Sequence, residues 1–161
     1  MCGTSLSKWT VLGILELILI DANLLLYAWD DHSPHHAASR AWLEETLWGQ
    51  EPAAFSWTVI LAFLRLATDS RVFQRPLSIS QGAEVVSEWF AASRFVLLQP
   101  GERHWEILKG LLIVGQASRK LVMDAHLGAL AIEHGATLAS VDRDFARFPG
   151  LKLLNPLSSR K

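Results

Sequence analysis

Short apolar runs alternate with longer amphipathic stretches along this chain. Leu17-Ile18-Leu19-Ile20 is apolar on both faces of an extended chain, which predicts a buried strand of the parallel type over 17–21. A short helix is expected over 23–29. Asp30-Asp31-His32-Ser33-Pro34 then makes a turn, with Ser33 as cap and Pro34 in the first turn of the next helix, over 35–48. Residues 53–56 read as a strand and 57–68 as an apolar helix. A loop at 69–76 holds Arg71 and Arg75, and Ser78 or Ser80 caps a helix reaching 92. Phe95-Val96-Leu97-Leu98 is a strand closed by Pro100. Trp105, Leu108, Leu111 and Leu112 recur at helical spacing within a helix at 102–114. After the basic turn Ser118-Arg119-Lys120, a helix is predicted over 124–134 with Gly135 as its stop. Residues 137–141 form a strand, 144–148 a short helix and 151–154 an edge strand. Strands that alternate with helices predict the α/β class: a single α/β/α domain, its parallel twisted sheet of four to five strands flanked by helices.

The length of 161 residues favours one domain with a real core. Half the residues are hydrophobic and 19% charged, a composition that argues against disorder. The net charge of −1 argues against a scaffold that grips duplex nucleic acid by bulk phosphate neutralisation, but leaves room for local contacts to a short stretch of RNA. The lone cysteine, Cys2, excludes a disulfide framework within one chain, so a reducing, cytoplasmic setting is expected. From Trp9 to Ile20 the chain is apolar apart from Thr10, Gly13 and Glu16, and Lys8 precedes it. A signal-peptide core fits poorly, because Glu16 interrupts the run, Asp21 ends it and no small-residue cleavage site follows. The run is also too short to span a bilayer, so no membrane partner is expected. The domain therefore covers 17–157, after a leader at 1–16 and before a tail at 158–161.

Aspartates carry the candidate chemistry. Asp21 ends the first apolar run, Asp142 and Asp144 follow Ala136-Thr137-Leu138-Ala139-Ser140-Val141, and Asp124 opens an amphipathic stretch. In an open parallel sheet, ligands bind outside the carboxyl ends of the strands. If the first and fourth strands are neighbours, Asp21 and Asp142 converge there and Asp124 joins from the flank. Mg²⁺ and Mn²⁺ prefer such oxygen ligands, and a metal so held suits phosphodiester hydrolysis. Each aspartate also has a plain structural use: Asp124 as a helix N-cap, Asp142 or Asp144 as cap of the helix at Phe145, Asp21 as the start of a turn.

Four stretches resemble PIN-domain proteins, and among them the VapC-type toxins of bacterial toxin–antitoxin pairs. They are Leu19-Ile20-Asp21-Ala22-Asn23-Leu24-Leu25-Leu26-Tyr27-Ala28; Phe63-Leu64-Arg65-Leu66-Ala67-Thr68 with Arg71-Val72-Phe73; Val122-Met123-Asp124-Ala125-His126-Leu127-Gly128-Ala129; and Ser140-Val141-Asp142-Arg143-Asp144-Phe145 with Phe148-Pro149-Gly150-Leu151. The resemblance implies a metal-dependent endoribonuclease. Asp21, Asp124 and Asp142 match the family's acidic ligands for Mg²⁺ or Mn²⁺, Asp144 matches an auxiliary acid, and Asn23 and Ser140 match polar residues near the metal. It further implies RNA as substrate, a VapB-type antitoxin as partner, a homodimer, and contact with DNA only through the antitoxin. One position departs from the pattern: Ala62 stands where the family usually has a glutamate, and no acid occurs from Trp57 to Thr68. This motivates a second reading, a PIN-like module that keeps its partner surface without cleaving.

Arg71, Arg75, Arg119 and Lys120 are candidates for RNA phosphate contacts, or else solvated loop charges. Most of the seven tryptophans are expected in the core, with Trp42 and Trp48 as candidate lining of a partner groove. The histidines show no zinc-ligand spacing with cysteine. Two other acidic-site classes fit less well: a phosphotransfer receiver would need an aspartate on the third strand, and a haloacid-type hydrolase a second aspartate where Asn23 stands.

Overall fold

The run Leu17-Ile18-Leu19-Ile20 is uninterrupted because its strand has no solvent face. In the computed structural model, which describes residues 16–158, β1 (Ile18–Ile20) is buried along its whole length at the centre of a five-stranded parallel sheet. On one side it pairs with β2 (Ala53–Phe55), which pairs with β3 (Phe95–Leu97). On the other it pairs with β4 (Thr137–Ala139), which pairs with the edge strand β5 (Lys152–Leu154). Central β1, β2 and β4 are buried on both faces, as a doubly covered sheet requires, and apolar apart from Thr137, whereas β5 is largely exposed. All five expected strands are present, each shorter by a residue or two than its apolar run. The leader falls outside the described residues except Glu16, as do Trp9 and Cys2, and so does the tail after Ser158.

Among the described residues, six α-helices cover the sheet: α1 (Ala22–Trp29), α2 (His36–Trp48), α3 (Trp57–Ala67), α4 (Ile79–Ala91), α5 (His104–Val114) and α6 (Lys120–Glu133). Ser56 caps α3, and Ser78 caps α4 in a reciprocal capping box with Gln81. Gly135 takes φ +64° just after α6, the left-handed stop that a residue without Cβ adopts freely. Between β4 and β5 lies a short 3-10 helix, Arg143–Arg147, rather than an α turn. Among the described residues, no helix is long and apolar enough to cross a membrane.

Three expectations need correction. Ser33 does not cap α2 and Pro34 lies before it: the cap position is His35, which makes no side-chain cap bond, and Ser33 Oγ accepts the His35 N–H at 3.1 Å within the preceding turn. Asp124 does not begin its helix: α6 starts at Lys120, with Arg119 at its cap position in a positive-φ conformation (φ 55°). The apolar residues Leu121, Val122 and Met123 extend the helix by a turn, and the exposure of Val122 and Met123 hid that turn from a search for a buried face. The tryptophans are also mostly superficial. Of the six described, Trp89 is buried and Trp42 half-buried, while Trp29, Trp48, Trp57 and Trp105 are exposed. Trp89 anchors an aromatic cluster under β2 and β3, with its ring 4.7 Å from Phe63 and 5.2 Å from Phe55.

Topology positions the site. The chain leaves β1 toward β2 on one side and returns to pair β4 on the other, so a crevice opens at the carboxyl ends of β1 and β4. The Asp21 N–H donates to the Ala139 carbonyl at 3.0 Å, fixing these two strand exits side by side.

Candidate metal centre

Asp21 leaves β1 and serves as N-cap of α1, its Oδ1 accepting the Ala22 N–H at 2.8 Å. Its Oδ2 accepts the Ser140 hydroxyl at 2.6 Å, across 119 residues of sequence. Ser140 Oγ in turn accepts the Asp142 N–H at 3.0 Å, and Asp142 Oδ1 accepts the Asp144 N–H at 2.9 Å, capping the 3-10 helix. The exits of β1 and β4 are thus locked by one run of hydrogen bonds. Each carboxylate oxygen in it keeps a lone pair free, since an ionised carboxylate has about four acceptor sites.

Asp124 enters from α6. One carboxylate oxygen from each of Asp124, Asp142 and Asp144 lies within 4.8 Å of the others. Asp124 Oδ2 is buried, and among the described residues no donor reaches it. A buried acceptor without a partner is costly, of order 1–3 kcal/mol, more for a charged group. An oxygen-only donor set with an orphaned buried oxygen fits a hard divalent cation. Asp21 stands beside this trio, close enough to feel the charge of Asp142.

Electrostatics follow from that crowding. Burial is the main cause that lifts the Asp124 carboxyl to about 6, and the charges of Asp142, Asp21 and Asp144 add to it against the opposing pull of Lys120. Burial also raises Asp21, although the Ser140 hydroxyl and the Ala22 N–H oppose it. Lys120 supplies the counter-charge: its Nζ lies 2.9 Å from Asp144 Oδ2 and 3.2 Å from Asp142 Oδ2. The bond from Lys120 holds Asp144 below the ordinary carboxylate range.

The remaining candidates divide. Ser140 and Lys120 join the four aspartates. Asn23 lies on the first turn of α1, partly exposed, with no side-chain hydrogen bond among the described residues. Arg119 is exposed beside Lys120. Arg71 is not brought to the aspartates; Asp69 grips it through Nε at 3.0 Å and a terminal nitrogen at 2.8 Å. That bond holds the Asp69 carboxyl down to about 2. Arg75 lines a separate depression with Trp29, His32 and Phe73, which none of the four aspartates enters. Ala62 is half-buried on α3, packed against the core.

Sequence reasoning missed the brace behind α6. Glu133 accepts the N–H groups of Gly101 and Arg103 at 3.0 and 3.1 Å, and its Oε2 lies 3.3 Å from His104 Nδ1. His104 Nε2 then meets His126 Nδ1 at 2.9 Å. This chain ties the start of α5 to α6 on a face away from Asp124. It joins residues about 30 apart with no shared motif, so no local pattern announces it. Arg147 was likewise unforeseen: it donates to the Gly115 carbonyl at 3.1 Å and lies 3.8 Å from Asp144.

Comparison with known proteins agrees with this architecture. The family model for the PIN domain matches residues 18–151. Ribonuclease VapC37 of Mycobacterium tuberculosis is 44% identical over 138 residues, 86% of this chain and 96% of that protein. The crystal structure of VapBC2 from Rickettsia felis, bound to a DNA fragment from its promoter, superposes with a TM-score of 0.63 at 18% identity, covering 86% of this chain and 98% of that one. A toxin–antitoxin complex from Klebsiella pneumoniae superposes with a TM-score of 0.57 at 20% identity, covering 86% and 97%. With nearly the whole sheet inside the matched region and the relative's identity extending over most of both chains, this protein belongs to the PIN-domain family, among the VapC-type toxins.

Proposed function

We propose that this protein is a metal-dependent endoribonuclease of the VapC type, the toxin of a toxin–antitoxin pair, acting in the cytoplasm. The observation that carries the reading is the trio Asp124, Asp142 and Asp144, whose oxygens gather within 4.8 Å around a buried oxygen with no protein donor. These three carboxylates, completed by Asp21 through the lone pairs its hydrogen bonds leave free, would hold Mg²⁺ or Mn²⁺. Such an ion, when bound, supplies a water acidified to hydroxide and a counter-charge for the phosphorane-like transition state. Ser140 orients Asp21 and the Asp142 backbone together, and Asn23 offers a further polar group at the same strand exit. Exposed Arg119 and Lys120 flank the carboxylates and would take RNA phosphates. With Ala62 where the family usually has a glutamate, one metal binds well and a second only weakly.

The restraining partner is an antitoxin, in line with the complexes to which this fold is similar. A groove between α1, α2 and α4 suits an apolar segment: Leu25, Leu43, Leu47, Phe63 and Trp89 floor it, and exposed Trp48 edges it. Buried aromatic anchors commonly dominate the affinity of such contacts. DNA is reached only through the antitoxin, since a net charge of −1 gives the toxin no general hold on phosphate. Exposed Ile113 and Val114 at the end of α5, with Met123 on α6, offer apolar side chains to a homodimer, which light scattering would detect.

The test is cleavage of end-labelled RNA by the purified protein with Mn²⁺, with EDTA, and by Asp21→Asn. Cleavage that needs metal and Asp21 supports the reading. Cleavage that persists in EDTA, or none by a protein whose melting temperature Mn²⁺ raises, favours the non-cleaving alternative or another site.

A further inference from the structure

Lys120 places its ammonium between two of the three gathered carboxylates, 3.2 Å from Asp142 Oδ2 and 2.9 Å from Asp144 Oδ2. It is the first residue of α6, one helical turn before Asp124, so helix geometry sets its stem on the face that carries Asp124. The side chain is otherwise two-thirds exposed at 67%, and no buried contact holds it there. No other cation among the described residues does the same work. Arg147 reaches Asp144 only at 3.8 Å and spends its other nitrogen on the Gly115 carbonyl, while Arg119 forms no ion pair among the described residues.

We propose that Lys120 is a tethered counter-ion that occupies the carboxylate cluster in the metal-free protein and competes with the divalent cation for Asp142 and Asp144. This rests on the reading of the cluster as a metal centre. An ammonium and a divalent cation that share the same two carboxylates are like charges held close together, so binding one weakens the hold on the other. In the metal-free protein the lysine screens carboxylates that repel one another. In the metal-loaded protein it is released, still leashed at the rim of the site where RNA phosphate arrives. A lysine that served only the fold would support both states alike. A competing lysine supports the metal-free state and opposes the loaded one, so its removal should move the two in opposite directions.

The experiment is a calorimetric titration with MnCl₂ at low ionic strength, with melting curves in EDTA alongside, on the natural chain, Lys120→Met and Lys120→Arg. Lys120→Met should bind Mn²⁺ about five- to tenfold more tightly, the scale expected from two part-exposed ion pairs. It should also melt lower than the natural chain in EDTA. Lys120→Arg, which keeps the charge, should bind as the natural chain does. Lys120→Gln serves if the methionine variant misfolds, because it is neutral and still polar. Equal or weaker binding by the neutral variants, with the natural chain binding normally, overturns the competition and leaves the metal centre standing. The arginine variant binding as tightly as the methionine variant also overturns it, since charge would then not be the cause. No binding by any of them overturns the metal centre itself and the competition with it.

Discussion

Replacing Asp124 by asparagine should make the metal-free protein more stable while abolishing its response to metal. The natural carboxyl is lifted from 3.8 to about 6, with burial the main cause and the neighbouring aspartates adding to it. A displacement of that size corresponds to roughly 3 kcal/mol if fully expressed, at ~1.4 kcal/mol per pH unit. Asp124 is only half-buried, so solvent screening reduces the effect to about 1 kcal/mol. The sign follows from proton counting. Between about 4 and 6 the folded chain holds a proton at Asp124 that the unfolded chain has released, so stability contributed by this group is complete below 3.8 and is lost as pH rises through 6. The asparagine side chain never ionises and escapes that loss. In EDTA at pH 7, Asp124→Asn should therefore melt about 2–4 °C above the natural chain, an advantage that shrinks toward zero by pH 4. With millimolar Mn²⁺ the order should reverse, because only the natural chain gains stability by mass action. The assay is a set of melting curves at pH 4, 5.5 and 7, with EDTA and with Mn²⁺. A variant that melts below the natural chain at pH 7 in EDTA, or keeps an undiminished advantage at pH 4, would refute the idea that a crowded, desolvated charge sits at Asp124.

Ser140→Ala removes the hydroxyl shared by Asp21 and the Asp142 backbone, leaving both short of a partner; urea unfolding should show a loss of about 1–3 kcal/mol. Glu133→Ala strips the Gly101 and Arg103 N–H groups of their acceptor and should cost about 2 kcal/mol by the same measurement. Burial would raise the Glu133 carboxyl, but those N–H groups and His104 outweigh it and hold it low. Its contribution is thus present above the ordinary glutamate value of 4.5 and fades only as pH falls through the lower folded value, so acid unfolding of Glu133→Gln should lack that part of the natural transition. Gly115→Ala would set a Cβ 2.7 Å from the Phe148 ring and 2.8 Å from the Leu111 carbonyl; a fall in melting temperature matching about 1–3 kcal/mol is expected, and an unchanged one would mean Phe148 moves freely. Ala62→Glu should tighten binding of a second metal in calorimetry, and no effect would place the missing glutamate elsewhere.

The order of strands and helices was legible because each signal was local. Short apolar runs rich in Ile, Leu and Val and closed by polar residues, such as 17–20, read as buried strands, and Asp21 and Asp142 follow from their places at two such exits. The neighbourhood of β1 and β4 had to be supposed, since pairing between residues 18 and 137 leaves no trace in either segment. The start of α6 was misplaced because Val122 and Met123 are apolar yet exposed, which blurs the helical period. The same exposure made the tryptophan rule fail: Trp48, Trp57 and Trp105 lie on outer helix faces. Lys120 was legible as a basic residue near the site, but its grip on Asp142 and Asp144 joins a helix start to a loop more than 20 residues on. Arg71 looked equally suited to phosphate until its partner Asp69, two residues away, proved to occupy it.

The bond between Asp21 and Ser140 also sets an order of events at birth. β1 is made early and β4 late, and strands β2 and β3 can complete one half of the sheet before β4 exists. Asp124, Asp142 and Asp144 all lie in the last quarter of the chain, so a growing polypeptide that already carries Asp21 holds only one of the four gathered aspartates. The centre closes only when β4 slides in along the open edge of β1, and the ribosome that makes the protein is itself a dense body of RNA. A nuclease whose site waits for the fourth of its five strands stays incomplete for most of its own synthesis.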